Sequence, residues 1–186
     1  PKLARVQAHL VRILEAGWLP AVERAVAGNA LAKLGDPRPG VGVRSDGLPD
    51  LAWCAVPAGV FIMGSLDDSQ SFLGETPQRK IELPAFRISR YPVTQAQFRA
   101  FVEAGGYHDA RYWTRAGWAR REHGNWEKPY ESGDPWMLSN HPVVGVSWHE
   151  AAAFCTWLTE RLRACGEIGE AEAVSLPTEM QWEKAA

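Results

Sequence analysis

Three short segments of this 186-residue chain mark helix starts, and they constrain the rest more than any other feature. They are Thr94-Gln95-Ala96-Gln97, Ser147-Trp148-His149-Glu150 and Thr178-Glu179-Met180-Gln181. In each, the hydroxyl can accept the amide proton three residues on, and the Gln or Glu at that position can reach back to the cap. Phe98, Phe101 and Val102 follow the first box as an apolar stripe, which Gly105-Gly106 ends. Ala151, Phe154, Cys155, Leu158 and Leu162 follow the second at helical spacing. The third opens a helix of only about nine residues before Ala186, too short to stand alone in water, so the natural chain is expected to continue.

Between the boxes the pattern changes to period two. Trp53–Pro57 and Val60–Gly64 read as strands around a tight Pro57-Ala58-Gly59 turn. A polar loop over 65–77 precedes two more alternating runs, Arg79–Leu83 and Phe86–Ser89. Pro142–Val146 reads as a further short strand. This mixture predicts an α+β fold.

Residues 1–34 read as two helices. Leu3, Val6, Leu10 and Leu14 share one face of the first, and Gly17 and Pro20 separate it from the second. The second ends at Gly35, with Val22, Ala25, Val26, Ala30 and Leu34 as its predicted apolar face. Two helices bury too little surface to be stable alone, so they must dock on something. Residues 35–50, with Gly-Asp-Pro-Arg-Pro-Gly-Val-Gly, read as a linker. The predicted organisation is therefore a helical segment 1–34, a linker 35–50 and a domain 51–186.

Several function classes are disfavoured. Net charge is −2, so no broad positive field exists to hold nucleic acid or an anionic membrane. No apolar run reaches the length of a membrane span. Cys54, Cys155 and Cys165 are odd in number and widely spaced, which predicts reduced thiols and a cytoplasmic setting. Cys54 is expected to be buried in its strand. Cys155 and Cys165 lie about 15 Å apart on one helix, too far to share a metal. His141 before Pro142 reads as a turn residue and His149 as exposed. His9 has no metal-binding companion at helical spacing, and no nucleophile–base or phosphate-loop motif occurs. No catalytic and no metal-binding residues are assigned.

Residues 107–140 form a long, irregular stretch. Tyr107, Tyr112, Trp113, Trp118, Trp126, Tyr130 and Trp136 alternate there with Arg111, Arg115, Arg120, Arg121, His123 and Lys128. A loop of this length in a compact domain is usually functional or packed as a unit of its own. Aromatics beside cations suit a protein, peptide or glycan surface. The same rings could instead pin the loop to the core. The ligand-binding candidates are Trp113, Trp118, Arg121, His123, Trp126, Tyr130 and Trp136, with His108 also in reach.

Four blocks, in order, resemble the formylglycine-generating enzyme (sulfatase-modifying factor) family. They are Val56–Ser65; Tyr91–Phe98; His141–Trp148 with Ala153–Leu158; and Leu176-Pro177-Thr178-Glu179-Met180-Gln181-Trp182-Glu183-Lys184-Ala185-Ala186. The resemblance implies a C-type-lectin-like fold over about residues 53–186. The family includes copper-dependent oxidases that convert a sulfatase cysteine to formylglycine, iron-dependent sulfoxide synthases of ergothioneine biosynthesis, and non-catalytic variable proteins of diversity-generating retroelements. Ala27–Gly40 resembles the tail of a helical repeat that precedes this domain in proteins with signalling ATPase or repeat modules. Tyr112–Trp118 also resembles that branch. In this family the copper-binding cysteines, the calcium sites and the variable positions lie beyond the last block, so any calcium or copper is expected in a C-terminal part that follows. The resemblance thus implies a ligand-binding or sensor domain without catalytic residues in this chain. The alternative is an oxidase or sulfoxide synthase whose site lies in the C-terminal part.

Overall fold

The structure, a computed structural model, describes residues 2–66, 75–131, 133 and 137–186. It comprises two compact units: Pro1–Ala52 with Tyr91–Ser175, and Trp53–Arg90 with Leu176–Ala186.

The first unit opens with α1 (Lys2–Ala16) and α2 (Ala21–Leu34), packed on each other. Gln7 of α1 donates its side-chain amide to the carbonyls of Leu34 and Gly35, both at 2.9 Å, and so occupies free acceptors at the end of α2. The buried side of α2 is Ala27 and Leu31, not the predicted Val22 and Val26, which stand exposed. Apolar residues surround this helix almost evenly, so periodicity could not choose its inner face. Asn140 and His141 fasten α2: Asn140 donates to the Gly28 carbonyl at 2.9 Å, and His141 Nε2 lies 2.7 Å from Asn29 Oδ1.

Residues 35–50, expected to be a linker, are built into this unit. Val41 is buried, and Val43 bridges Pro49. Gln97, fully buried on α3 (Gln95–Glu103), donates to the carbonyls of Gly40 at 3.1 Å and Asp50 at 2.5 Å. Thr94 Oγ1 donates to the Val41 carbonyl at 2.9 Å. Proline and glycine marked the turns correctly, but turns that supply partners to buried polar groups are fixed in place.

The core lies between α3 and α5 (Trp148–Ala164). Phe98 stacks on Phe154 at 5.3 Å, and Phe101 meets Trp157 at 5.6 Å, Tyr107 at 5.7 Å and Tyr112 at 6.3 Å. Each such ring pair adds about 0.5–1.5 kcal/mol beyond simple burial. Both helices start where their boxes predict, with both reciprocal bonds formed. The stretch after Gly106 is more ordered than expected. It holds a 3-10 turn (Ala110–Tyr112) and α4 (Arg115–Gly124), capped by Thr114 and stopped by Asn125 in the left-handed conformation. The predicted strand at Pro142–Val146 reduces to a single bridge from Thr94 to Pro142 and two backbone bonds, from the Val143 amide to the Val93 carbonyl and from the Tyr130 amide to the Gly145 carbonyl.

The second unit contains two antiparallel pairs: β1 (Trp53–Val56) with β4 (Phe86–Ser89), and β2 (Gly59–Met63) with β3 (Arg79–Leu83). α6 (Glu179–Ala185) starts at the third box and returns to β2. Glu183 accepts the Gly64 amide proton at 2.6 Å, and Lys184 donates to the Gly59 carbonyl at 2.9 Å. Cys54 on β1 is exposed, contrary to expectation, because only part of this short strand is covered. The polar loop predicted at 65–77 falls partly outside the described residues. No helix among the described residues is long and apolar enough to cross a membrane.

Candidate functional site

The aromatic stretch divides between core and surface. Trp113 is buried, and its indole N–H donates to the Gly106 carbonyl at 2.8 Å. Its ring meets Tyr107 at 5.3 Å and Trp118 at 6.4 Å. Tyr107 and Tyr112, grouped with these rings on the sequence, are also buried. The Gly105-Gly106 stop turns the chain back over α3 immediately after the helix, and this brings the first rings inward.

Trp118 sits half-buried on α4, and the Arg121 guanidinium lies 5.4 Å from its ring centre. Arg121 Nη2 is 3.4 Å from His108 Nδ1. His123 is exposed in the last turn of α4. Trp126 is half-buried against the core, and Tyr130 is 76% exposed. Trp136 lies outside the described residues. The structure therefore brings Trp113, Trp118 and Arg121 together as one packed series and leaves Trp126 and Tyr130 beside an open hollow.

That hollow has a volume of about 660 Å³ and is lined by residues of 125–131 and by Gly145–Ser147 and Glu150. One lip is held by Tyr130, whose amide donates to the Gly145 carbonyl at 3.0 Å. Gly145 has φ of 72°, and a Cβ there would fall 2.1 Å from the Tyr130 carbonyl oxygen, so only glycine fits. Lys128 and Glu131 form an exposed ion pair at 2.6 Å on the rim.

Glu150 is the lining residue that the sequence only half revealed. As the box residue of α5 it accepts the Ser147 amide proton at 2.7 Å. Its other oxygen accepts the Tyr107 hydroxyl at 2.5 Å, deep in the core. Burial, with the Glu150 bond adding to it, pushes the Tyr107 hydroxyl far above its usual range, so this tyrosine remains a donor. The box pattern signals the first bond, whereas the second needs the tertiary fold.

His141 is half-buried in its turn, as predicted. His149, predicted to be exposed, is half-buried with Nδ1 covered. Burial pushes the Cys155 thiol up to about 11, so it is protonated near neutral pH. Among the described residues, no three His, Cys, Asp or Glu side chains converge in a way that could hold a metal. With Cys155 buried on α5 and Cys54 and Cys165 exposed and unpaired, the described residues do not fit the copper or iron centre that the resemblance implies.

Residues 49–186 match the model of the sulfatase-modifying factor enzyme 1-like domain. The chain belongs to this sulfatase-modifying factor family. It is 33% identical over 142 residues to hercynine oxygenase of Mycolicibacterium smegmatis, covering 70% of this chain and 30% of that protein. It is 35% identical over 160 residues to formylglycine-generating enzyme of Thermomonospora curvata, covering 71% and 47%. It is also 29% identical over 134 residues to serine/threonine-protein kinase pkn1 of Chlamydia pneumoniae, covering 70% and 18%. The chain spans less than half the length of each of these relatives. The mixed α and β architecture with small antiparallel sheets agrees with the C-type-lectin-like fold of the sulfatase-modifying factor family.

Proposed function

We propose that the intact protein is an oxidase of the formylglycine-generating kind, and that this chain supplies scaffold and a substrate-facing hollow rather than the metal ligands. The observation that carries this is the 35% identity to a formylglycine-generating enzyme across 71% of the chain. It is set above the non-catalytic reading of the sequence because the matched relatives include two named as enzymes, a hercynine oxygenase and a formylglycine-generating enzyme. The formylglycine-generating kind is put first because that match is 35% identical and spans 47% of the relative, against 33% and 30% for the hercynine oxygenase.

In this reading the hollow beside Trp126 and Tyr130 takes part of a peptide substrate. Its rim offers an aromatic face, and the paired Lys128 and Glu131 offer both charges, which suits a polypeptide. The core rings and the Tyr107–Glu150 bond hold that wall still. Any copper would be held by residues outside the described ones.

The test uses the full-length protein loaded with copper, in air and with a thiol reductant, on a peptide carrying a sulfatase-type cysteine. Dioxygen takes two electrons from the cysteine carbon and two from the reductant, and the sulfur leaves as sulfide. Conversion of the peptide thiol to an aldehyde, read by mass spectrometry and hydrazide capture, is the expected result. Absence of both copper binding and aldehyde would refute the oxidase. A second reading, a sensor domain in a signalling protein, is favoured by the match to a protein named as a kinase. It predicts peptide binding at the hollow with no conversion.

A further inference from the structure

The hairpin of α1 and α2 leaves more apolar surface in water than two surface helices need. α1 has no buried residue, and its Leu3 and Val6 are about half exposed. On α2, Val22 is 78% exposed and Val26 66%, one turn apart on the side away from Leu31. Trp18, in the turn ahead of α2, is 81% exposed. Single apolar residues scattered over a surface are ordinary, but a set along one helix face marks a contact. The valines point the same way for a second reason. A β-branched side chain loses rotamer freedom in a helix, so an exposed valine there costs stability and gains no burial.

Two charges accompany this strip. Glu23 stands in the first turn of α2 and Lys33 in the last. Both are exposed, and neither has a partner among the described residues. Their positions in the chain are symmetric about Gly28, and so are those of Val26 and Ala30. A second α2 laid antiparallel and centred on Gly28 therefore sets each Glu23 level with the Lys33 of the other copy, within side-chain reach. Val26 then lies across from Ala30, whose small side chain lets the helix axes approach closely. A parallel arrangement would instead set Glu23 level with Glu23 and Lys33 level with Lys33, which repel.

We infer that this face of α2 binds the same face of a second copy of the chain, as an antiparallel, isologous pair. The two Glu23–Lys33 pairs set direction and register, and the valines supply the buried apolar surface. One helix pair is a small interface, so the dissociation constant is on the order of 10 µM. The face shares no residue with the hollow at Trp126 and Tyr130, so the pairing stands whether or not the protein is an oxidase.

Sedimentation velocity of the full-length protein, from about 1 to about 100 µM, reads the pairing directly. A reversible, concentration-dependent dimer is the expected result. Val26→Lys should abolish it while leaving the melting temperature of the dilute protein nearly unchanged, since the side chain is exposed in the single copy. Glu23→Lys and Lys33→Glu should each weaken pairing about tenfold, because each turns both ion pairs into like charges. An equimolar mixture of these two charge variants should pair as tightly as the unaltered protein, since the mixed dimer restores both opposite-charge pairs. A protein that stays monomeric at about 100 µM, a dimer indifferent to Val26→Lys, or a mixture that pairs no better than either charge variant alone would overturn the inference.

Discussion

Tyr107, Tyr112 and Trp113 are almost wholly buried, whereas Tyr130, in the same aromatic stretch, is 76% exposed on the lip of a hollow. The two ends have the same flavour of composition, aromatic rings beside cations, and opposite fates. The inner rings follow a helix stop and fold back over α3, where Phe101, itself packed on Trp157, meets Tyr107 and Tyr112. The outer ones follow α4, whose cap at Asn125 sends the chain away along the hollow. What separates them is the turn that precedes each group. Ring content alone says nothing about which side of a loop faces water.

Substitutions can break or sharpen this contrast. Trp113→Ala should cost the most, about 3–5 kcal/mol, a fall in melting temperature of roughly 10 °C by calorimetry. Gly145→Ala should cost roughly 2–4 kcal/mol in denaturant titration, because it adds left-handed strain and a clash with the Tyr130 carbonyl. Tyr107→Phe should cost about 1–3 kcal/mol, since it leaves a Glu150 oxygen buried and unpaired. Tyr130→Ala should change stability by no more than about 0.5 kcal/mol, yet raise KM for the peptide in the oxidase assay. A Tyr130 variant that melts early would erase the distinction between the two ends.

Much of the fold was legible because capping boxes are local chemistry. Thr94, Ser147 and Thr178 each bond within three residues, and each helix begins where those residues predict. The extents of the four strands were equally local, set by alternation and by the Pro57-Ala58-Gly59 turn, but their pairing, β1 with β4 and β2 with β3, joins residues far apart in the chain. What escaped was tertiary. Ala27 and Leu31 became the inner face of α2 because Ser139–His141 packs there, a segment more than a hundred residues away. Gln97 fixes residues 40–50 from across the chain, so a stretch rich in proline and glycine became structure rather than linker. Thr114 opens α4 with a lone hydroxyl cap and no reciprocal Glu or Gln, a weaker signal than the three boxes.

The candidate site was legible in part. Trp126 and Tyr130 do edge a hollow, while Trp113 was drawn from the same list and is core. Glu150 was read for its cap and not for its bond to Tyr107. Cys155 was placed correctly as a buried thiol from its position between Phe154 and Leu158 on the inner face of α5.

Amide hydrogen exchange through residues 107–131 of the full-length protein probes the division most directly. The amides of Tyr112, Trp113 and Trp118, all bonded to backbone carbonyls around the buried rings, should exchange only with global unfolding, and those of Glu127, Lys128 and Glu131 should exchange fast. Uniform protection along the whole stretch, or fast exchange at Trp113, would contradict the account.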